Sequence, residues 1–453
     1  MVNPDMVEQN IPTKKMGLIT FAASLGSLFE WYDFFLSSFV AGTVWPIIFF
    51  ASGNIVVATA LSISAYGVSF LARPVGAFIF GHMGDRLGRK TTLVMTIAII
   101  AVGTLGIGLT PDYSVVGSLA PVLIVLFRII QGVGFGGEFG GAISWVSEFA
   151  SRSKHRGFWA GWVQVTAATG ATLASLAYVI AGEVFAHSFF LSVGWRIPYF
   201  IGTVALVIGI YIRYRTEESP LFKNLIKTKK PLRSPSLEIF RKQGKTLFFM
   251  VAVILTNFLL NVGPIPFSIS YIFNIGLAHK AANVNIPLAS FSILIGNTFA
   301  IFTTFVGAYL SDRIGRKKVL LLSSVLVLIF IYPYFYLIDT LVPTNIIVAQ
   351  MLWLGAEALG YGTLASLLSE HFSTEYRYSG TGLTYQIGAV FIGIITTFAI
   401  PAYISIAKGV VGAGPYVAVT SAVICIISIV SIMFLKETKD ITLDSLDVEV
   451  NPN

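Results

Sequence analysis

The chain carries the stretch GHMGDRLGRK at Gly81–Lys90 and a close copy of it, AYLSDRIGRK, at Ala308–Lys317. Each copy begins with a small residue, joins an acidic residue to several basic ones, and follows a long apolar run. Internal similarity of this kind is typical of membrane proteins built from duplicated helical bundles. We therefore predict two related halves, each with one copy of the motif.

The composition places most of the chain in a lipid bilayer. Of its 453 residues, 55% are hydrophobic and only 11% are charged, and the mean hydropathy is +0.80. A soluble domain usually carries about 25% charged residues, so no water-soluble fold could bury so much apolar surface. The single cysteine, Cys425, excludes a disulfide framework.

Twelve apolar segments are each long enough to cross a bilayer as a helix, which takes about 20 residues. Their continuous apolar runs argue against a transmembrane barrel, whose strands alternate. The first segment is also too long for a cleavable signal core of roughly 7–15 residues. The predicted spans one to twelve are Leu18–Phe50, Ala58–Phe80, Thr91–Leu109, Leu119–Phe139, Gly157–Ile180, Trp195–Ile212, Thr246–Phe273, Ala289–Leu310, Val319–Ile338, Ile346–Leu368, Thr381–Ile404 and Tyr416–Leu435.

The spans divide into six and six around one long polar interval. We predict an N-terminal six-helix bundle over residues 1–215, a cytoplasmic linker over 216–245 and a C-terminal six-helix bundle over 246–453. The prolines of the linker suit an amphipathic, partly helical segment between the two bundles.

Basic residues orient these spans. With the amino terminus inside, both motif loops and the basic central loop, Arg213–Lys245, fall on the inner side, whereas only Arg196, Lys280 and Lys408 fall on the outer side. This asymmetry fits the positive-inside rule and predicts a multi-pass plasma-membrane protein with both termini in the cytoplasm. The net charge of +8 mostly reflects this topology. It favours contact with anionic lipid headgroups over nucleic-acid binding.

Ionisable residues inside the spans are costly, so they are functional candidates by default. In span one, Glu30 and Asp33 lie on one stripe of the helix, and in span four Arg128, Gln131 and Glu138 share one arc. Two polar stripes in otherwise apolar helices predict a common water-accessible cavity.

The duplicated motif, in this position after spans two and eight, resembles the signature loop of the major facilitator superfamily. The segments FEWYDF (29–34), RPVG (73–76) and GWRIP (194–198) resemble the metabolite:proton symporter family within it. That family includes carriers of citrate, 2-oxoglutarate, shikimate, and proline or betaine. Glu217–Pro220 and Lys436–Lys439 resemble the ends of the halves in sugar porters, which are relatives. The resemblance implies two pseudo-symmetric six-helix bundles around a central cavity, the major facilitator fold, working by alternating access.

The motif loops are predicted to gate the cytoplasmic side. An aspartate at the membrane boundary can accept hydrogen bonds from a helix amino terminus and can pair with arginine, so it could join the two halves in one state and release them in another. A tight turn with topology-setting basic residues is the alternative. A second pair of similar segments relates Glu148 and Arg156 in the first half to Glu370 and Arg377 in the second half. The predicted gating residues are Gly81, Asp85, Arg86, Gly88, Arg89, Asp312, Arg313, Gly315 and Arg316.

The resemblance also implies a proton site at Asp33 with Arg128 as its partner. A desolvated carboxyl group holds its proton, whereas a nearby arginine favours the ionised form. Glu30 and Glu138 are alternative proton sites, and a static buried ion pair that fixes helix packing is the structural alternative.

Several polar residues in the spans are candidates for substrate contact, although such side chains also serve as hydrogen-bonding links between helices. Glu357 and Tyr361 lie on one face of span ten, and Tyr385 lies in span eleven. The predicted substrate-binding residues are Tyr32, Gln131, Gln164, Asn257, Asn261, Glu357 and Gln386.

Enzyme and metal signals are missing from the sequence. Gly244–Thr246 resembles the end of a phosphate-binding loop, but Ile239 stands where its first glycine is required. The five histidines show no metal-ligand spacing, so we predict no enzyme, no cofactor and no metal.

We predict a proton-coupled symporter of an organic acid or a zwitterion that functions as a monomer, with protons, a small-molecule substrate and the lipid bilayer as its partners. The acidic residues in the spans outnumber Arg128, so counting charges does not decide between an anionic and a zwitterionic substrate. A proton-independent facilitator on the same fold is one alternative. A non-transporting receptor or channel is the other, although a receptor would usually add a soluble signalling domain.

Overall fold

A computed structural model describes residues 13–50, 53–151, 153–219, 222–223, 235–261, 266–441 and 443 of the chain. This described part consists of helices and short connections, in the predicted order. Spans one to six are the helices Thr13–Thr43, Ile55–Leu87, Arg89–Leu109, Leu119–Phe149, Arg156–Val184 and Ile197–Tyr214. Spans eight, nine, ten and twelve are Ile286–Ile314, Arg316–Asp339, Pro343–Ser369 and Val410–Met433. Short helical turns at Trp45–Ile48, Tyr113–Val116, His187–Ser192 and Gly194–Arg196 connect spans of the first half.

Spans seven and eleven are irregular helices. Span seven consists of the helix Pro235–Ile254, a 3-10 helix at Leu255–Asn261, and the helix Pro266–Ala278. In span eleven a π-helical turn, Ile395–Ala399, separates Arg377–Ile394 from Ile400–Ile406. Such interruptions are tolerated at membrane depth where the backbone is buried in protein or lines a cavity.

Within the described residues, ten helices are long and apolar enough to cross a membrane. Span one has 31 residues, or about 45 Å of helix, and is thus also long enough, although Glu30 and Asp33 interrupt its apolar run. The helix of span seven begins at Pro235, inside the predicted linker, and it has a non-helical residue at Gln243. The last part of the predicted linker is therefore helical and leads directly into the span.

The two halves pack in equivalent ways. Span two lies on span four in the first half, and span eight lies on span ten in the second. Between the halves, span two packs on span eleven and span five packs on span eight. Glycines allow the close approach inside each half, since a Cβ at Gly76 would overlap the backbone of Val133 and one at Gly307 would overlap the carbonyl of Leu359.

We expect Gly76→Ala to lower the apparent unfolding temperature of the detergent-solubilised protein, because the added methyl group would force spans two and four apart. Overpacking of this kind typically costs about 1–3 kcal/mol. Gly182→Ala is the control, since its Cβ would meet no atom within 4 Å, and alanine favours a helix over glycine by about 1 kcal/mol. Equal unfolding temperatures for the two variants, measured by circular dichroism, would contradict this account of the packing.

Candidate functional site

Both copies of the duplicated motif lie at one end of the bundle, which we call the basic end. In the first copy, the carboxylate of Asp85 accepts hydrogen bonds from the backbone N–H groups of Tyr378 (3.3 Å) and Ser379 (2.9 Å) and from the Ser379 hydroxyl (2.6 Å). These donors form the N-terminus of span eleven, in the second half. The negative carboxylate thus lies at the positive end of a helix dipole.

The second copy repeats this arrangement with the halves exchanged. The carboxylate of Asp312 accepts hydrogen bonds from the N–H groups of Gly157 (2.9 Å) and Phe158 (2.8 Å), at the N-terminus of span five. Each motif therefore caps a helix of the opposite half, and the two contacts are related by the pseudo-symmetry of the fold.

Buried ion pairs surround the first aspartate. Arg89 lies 3.1 Å from Asp85 and 3.1 Å from Glu148. It also donates a hydrogen bond to the carbonyl of Thr374, in the second half, at 3.0 Å. Arg377, likewise from the second half, lies 3.4 Å from Glu148. All four charged side chains are fully buried, so their mutual pairing is what offsets the cost of their desolvation.

The second half builds the matching cluster. Arg316 lies 2.9 Å from both Asp312 and Glu370, and Arg156 of the first half lies 2.6 Å from Glu370. Next to this cluster, burial lowers the pKa of His371, whose Nδ1 donates to a backbone carbonyl at 2.8 Å. His371 is consequently neutral, and the arginines supply the positive charge.

The motif glycines and outer arginines have different roles. Gly88 and Gly315 have φ values of 117° and 105°, a conformation that favours glycine. Gly81 packs directly against span eleven. Arg86 and Arg313, which we also predicted as gating residues, have exposed side chains and take no part in the two buried clusters.

Glutamates from the segments after each half complete the clusters. Glu218 accepts a hydrogen bond from the backbone N–H of Lys90 at 3.2 Å, and Glu437 accepts one from that of Arg316 at 2.9 Å. Ser219 donates to Glu148, and Thr438 donates to Glu370 at 2.5 Å. These residues belong to the two segments that resemble the ends of the halves in sugar porters.

A polar chain links spans one and four in the middle of the first half. Asp33 is fully buried, and the Gln131 amide nitrogen donates to its Oδ2 at 2.5 Å. The oxygen of the same amide accepts from Arg128 at 2.8 Å, and Arg128 also donates to Ser69 Oγ at 2.8 Å. Asp33 and Arg128, the predicted proton-coupling pair, are therefore joined through Gln131 and not by a direct ion pair.

The two alternative proton sites have different surroundings. Glu138 forms a two-pronged pair with Arg213, at 2.5 and 2.8 Å, and accepts from Thr96 at 2.9 Å. Our assignment of Arg213 to the central loop was wrong, since this residue is buried in the helix of span six. Glu30 is 4% exposed and forms no hydrogen bond with the described residues; it interacts electrostatically with Arg73 of span two.

A small cavity lies between the halves. Its volume is about 40 Å³, which leaves room for little more than a water molecule. Tyr385, one of its lining residues, stacks on Phe139 of the first half with ring centroids 3.4 Å apart. The polar and aromatic residues that line it are Trp31, Phe35, Asn257, Phe258, Asn297, Thr304, Glu357, Tyr361 and Tyr385.

The predicted substrate-contact residues fall into several groups. Asn257 and Glu357 line the cavity. Gln164 donates to the carbonyl of Tyr361, and Gln386 donates to that of Phe135, both at 3.1 Å, so each amide joins the two halves. Gln131 belongs to the polar chain.

Tyr32 and Asn261 complete this set. The Tyr32 hydroxyl donates to the carbonyl of Pro198 at 3.0 Å, within the first half, and the side chain does not line the cavity. The side chain of Asn261 lies outside the described residues.

Sequence reasoning missed five of these polar and aromatic lining residues: Trp31, Phe35, Phe258, Asn297 and Thr304. Aromatic residues make up 13% of this chain, so an individual ring in an apolar helix carries no signal of a site. Trp31 lies between Glu30 and Asp33, but at a helical spacing it points away from their stripe. Asn297, in the middle of span eight, was the one detectable case, since polar side chains are costly at that depth.

Comparisons with known proteins agree with this architecture. Residues 19–449 match the family model described as sugar (and other) transporter. The chain is 28% identical over 440 residues to the inner membrane metabolite transport protein YhjE of Escherichia coli K12, covering 96% of this chain and 97% of YhjE. It is 31% identical over 412 residues to the proline/betaine transporter of the same organism, covering 86% and 81% of the two chains.

Among solved structures, the proton:xylose symporter XylE of E. coli, bound to 6-bromo-6-deoxy-D-glucose, shares the fold with a TM-score of 0.75. The sequence identity is 18%, and the match covers 97% of this chain and 100% of XylE. This likeness confirms the predicted fold class of twelve transmembrane helices in two pseudo-symmetric six-helix bundles. The curated relatives are membrane transport proteins, so the chain is a transporter and not an enzyme. It belongs to the sugar (and other) transporter family of the major facilitator superfamily.

Proposed function

We propose that this transporter is a symporter that moves a small organic acid or zwitterion together with protons. The observation that carries the proposal is the polar chain of Asp33, Gln131 and Arg128, buried in the first half. The proline/betaine transporter, a relative of similar length, has a zwitterion in its name. A proton-independent facilitator on the same fold is the alternative.

The conformation supports an alternating-access mechanism. The basic end is closed by the two motif contacts, and the cavity is too small for a metabolite. Away from the basic end, the Ser64 hydroxyl donates to the carbonyl of Thr397 at 3.2 Å, so span two meets span eleven there as well. Loading of a substrate therefore requires the halves to part at one end or the other.

We propose that the basic end is the cytoplasmic end, because basic loops are retained inside. Both termini would then be cytoplasmic, in the plasma membrane, which agrees with the words "inner membrane" in the name of YhjE. The site is complete within one chain, so we propose that a monomer in its lipid bilayer is the functional unit. The two bundles at residues 1–215 and 246–453 are the moving bodies, and residues 216–245 connect them.

The geometry of the polar chain supports the proposed proton coupling. A carboxyl group takes up or releases a proton as an arginine moves away from it or towards it. Gln131 lies between Asp33 and Arg128, so a small shift of span four relative to span one decides whether the arginine reaches the carboxylate. Glu138 is occupied by Arg213 on both oxygens, which favours a structural role for that pair, and Glu30 is the remaining alternative site.

Asp33→Asn should abolish proton-driven accumulation, since the amide cannot bind and release a proton. In proteoliposomes loaded with a metabolite panel, we expect uphill uptake to fall at least tenfold while exchange of labelled for unlabelled substrate persists. Glu183→Gln, which removes an exposed carboxylate, should leave uptake unchanged. Normal uphill uptake by Asp33→Asn would show that Asp33 is not the proton site. If uptake by the wild type did not depend on the proton gradient, the protein would instead be a proton-independent facilitator.

Asp85→Asn and Asp312→Asn should each open the basic end. Loss of a charge at a helix N-terminus costs about 0.5–2 kcal/mol, or about a twofold to thirtyfold change in the equilibrium between closed and open states. The reporter is Ser144→Cys in a Cys425→Ser background, because the hydroxyl of Ser144 lies 3.3 Å from Thr381 of the other half. Its maleimide labelling should accelerate by that factor.

Asp440→Asn is the matched control, because this exposed aspartate at the basic end caps no helix of the other half. It should leave the labelling rate of the reporter cysteine unchanged. Identical rates in all three aspartate variants would show that the motif loops are only tight turns.

A further inference from the structure

Arg73 of span two is a buried cation with donors that no described residue accepts. Its side chain is 2% exposed. The guanidinium carbon lies 4.6, 4.7 and 5.0 Å from the ring centres of Phe34, Phe70 and Phe135. Its Nε and Nη2 donate to no oxygen or nitrogen of the described residues. Contacts with aromatic rings stabilise a cation, but they do not replace the hydrogen bonds that a buried charged group loses when it leaves water.

The two unpaired nitrogens lie on the same edge of the guanidinium plane. The N–H groups of Nε and Nη2 point in parallel, and this edge is one that carboxylates use when they bind arginine with both oxygens. The other buried arginines of the first half differ, since Arg89, Arg128 and Arg213 each leave only Nε unpaired. Arg73 thus presents to a carboxylate two parallel donors that no described residue accepts.

The surroundings of Arg73 connect this receptor to the cavity. The ring of Phe34 contacts two cavity-lining rings, those of Trp31 at 5.7 Å and Phe35 at 5.3 Å between centroids. Tyr385, another lining residue, interacts electrostatically with Arg73. The acidic residue that interacts most strongly with Arg73 is Glu30, yet the two form no ion pair in this conformation.

We propose that Arg73 binds the carboxylate of the transported metabolite through Nε and Nη2 when the cavity widens. The inference rests on the proposed function and adds to it the chemical group by which the substrate is recognised, a group that organic acids and zwitterions share. The three phenylalanine rings hold the guanidinium and exclude water, which strengthens its hydrogen bonds to an entering anion. The side chain of Glu30 also carries a carboxylate that could bind Arg73, and the experiment distinguishes this carboxylate from that of the substrate.

The test is equilibrium binding to the full-length protein in detergent, without a membrane or a gradient. The probes are glycine betaine, L-proline and succinate, each beside its carboxamide, and the readout is quenching of tryptophan fluorescence. We expect the wild type to bind at least one acid tenfold or more tightly than its carboxamide. Arg73→Gln should weaken binding of that acid at least tenfold and leave binding of the carboxamide within twofold.

Two further variants keep the result interpretable. Arg73→Lys retains the cation among the rings but lacks the paired donors, so it should fold and still lose most of the preference for acid over carboxamide. Arg215→Gln, which removes an exposed arginine, should change neither affinity. Wild-type affinity for the acid in both Arg73 variants would overturn the proposal and leave Arg73 as a packing residue.

Glu30→Gln decides the source of the carboxylate. If Glu30 were the partner of Arg73, Glu30→Gln and Arg73→Gln would lower the unfolding temperature of the ligand-free protein by the same amount, and the double variant would show no further decrease. The acid would then bind to Arg73→Gln as tightly as to the wild type. That result, or equal affinity of the wild type for acids and carboxamides, would overturn the proposal. A protein that binds acids through Arg73 but accumulates nothing in a proton gradient would contradict only the proposed symport.

Discussion

Two carboxylates hold the halves of this protein together, because each accepts hydrogen bonds from the first backbone N–H groups of a helix in the other half. Asp85 meets the N-terminus of span eleven, and Asp312 meets that of span five. A helix N-terminus has N–H groups without partners inside the helix and carries a partial positive charge. At the basic end these two contacts join the halves together with the ion pairs of Arg377 with Glu148 and of Arg156 with Glu370. Since each is made of hydrogen bonds between groups that water can also satisfy, the contacts can be broken at small net cost.

The buried charges of the chain differ in how completely they are paired, and this difference separates structure from function. Glu138 and Arg213 satisfy each other with two short hydrogen bonds, one to each carboxylate oxygen. Asp33 accepts a hydrogen bond from the Gln131 amide, and Nε and Nη2 of Arg73 donate to no atom in the described part of the chain. Groups left incomplete in a dry environment are costly, and for that reason the proposed proton step rests on Asp33 and the proposed substrate contact on Arg73.

Much of the architecture follows from local sequence patterns. The apolar runs locate the spans, and the glycines of the duplicated motif mark the turns where φ is positive. Other features have no local signature. Arg213 follows the predicted end of span six by a single residue, so hydropathy could not tell a loop arginine from a buried one. The sequence did not show that the helix beginning at Pro235 continues into span seven, because its first residues are polar like those of a linker.

By itself, the sequence determined the number of spans, the duplication, the placing of both motif loops at one end of the bundle and the residue types placed at membrane depth. These are properties of periodicity and hydropathy over about twenty residues, and the bilayer imposes them on each helix separately. Only the tertiary structure decided which charges meet. The partners of Asp85, Asp312 and Glu138, and the aromatic rings around Arg73, are set by how helices far apart in the chain pack against each other. Side-chain contacts at that distance leave no periodic trace along the sequence.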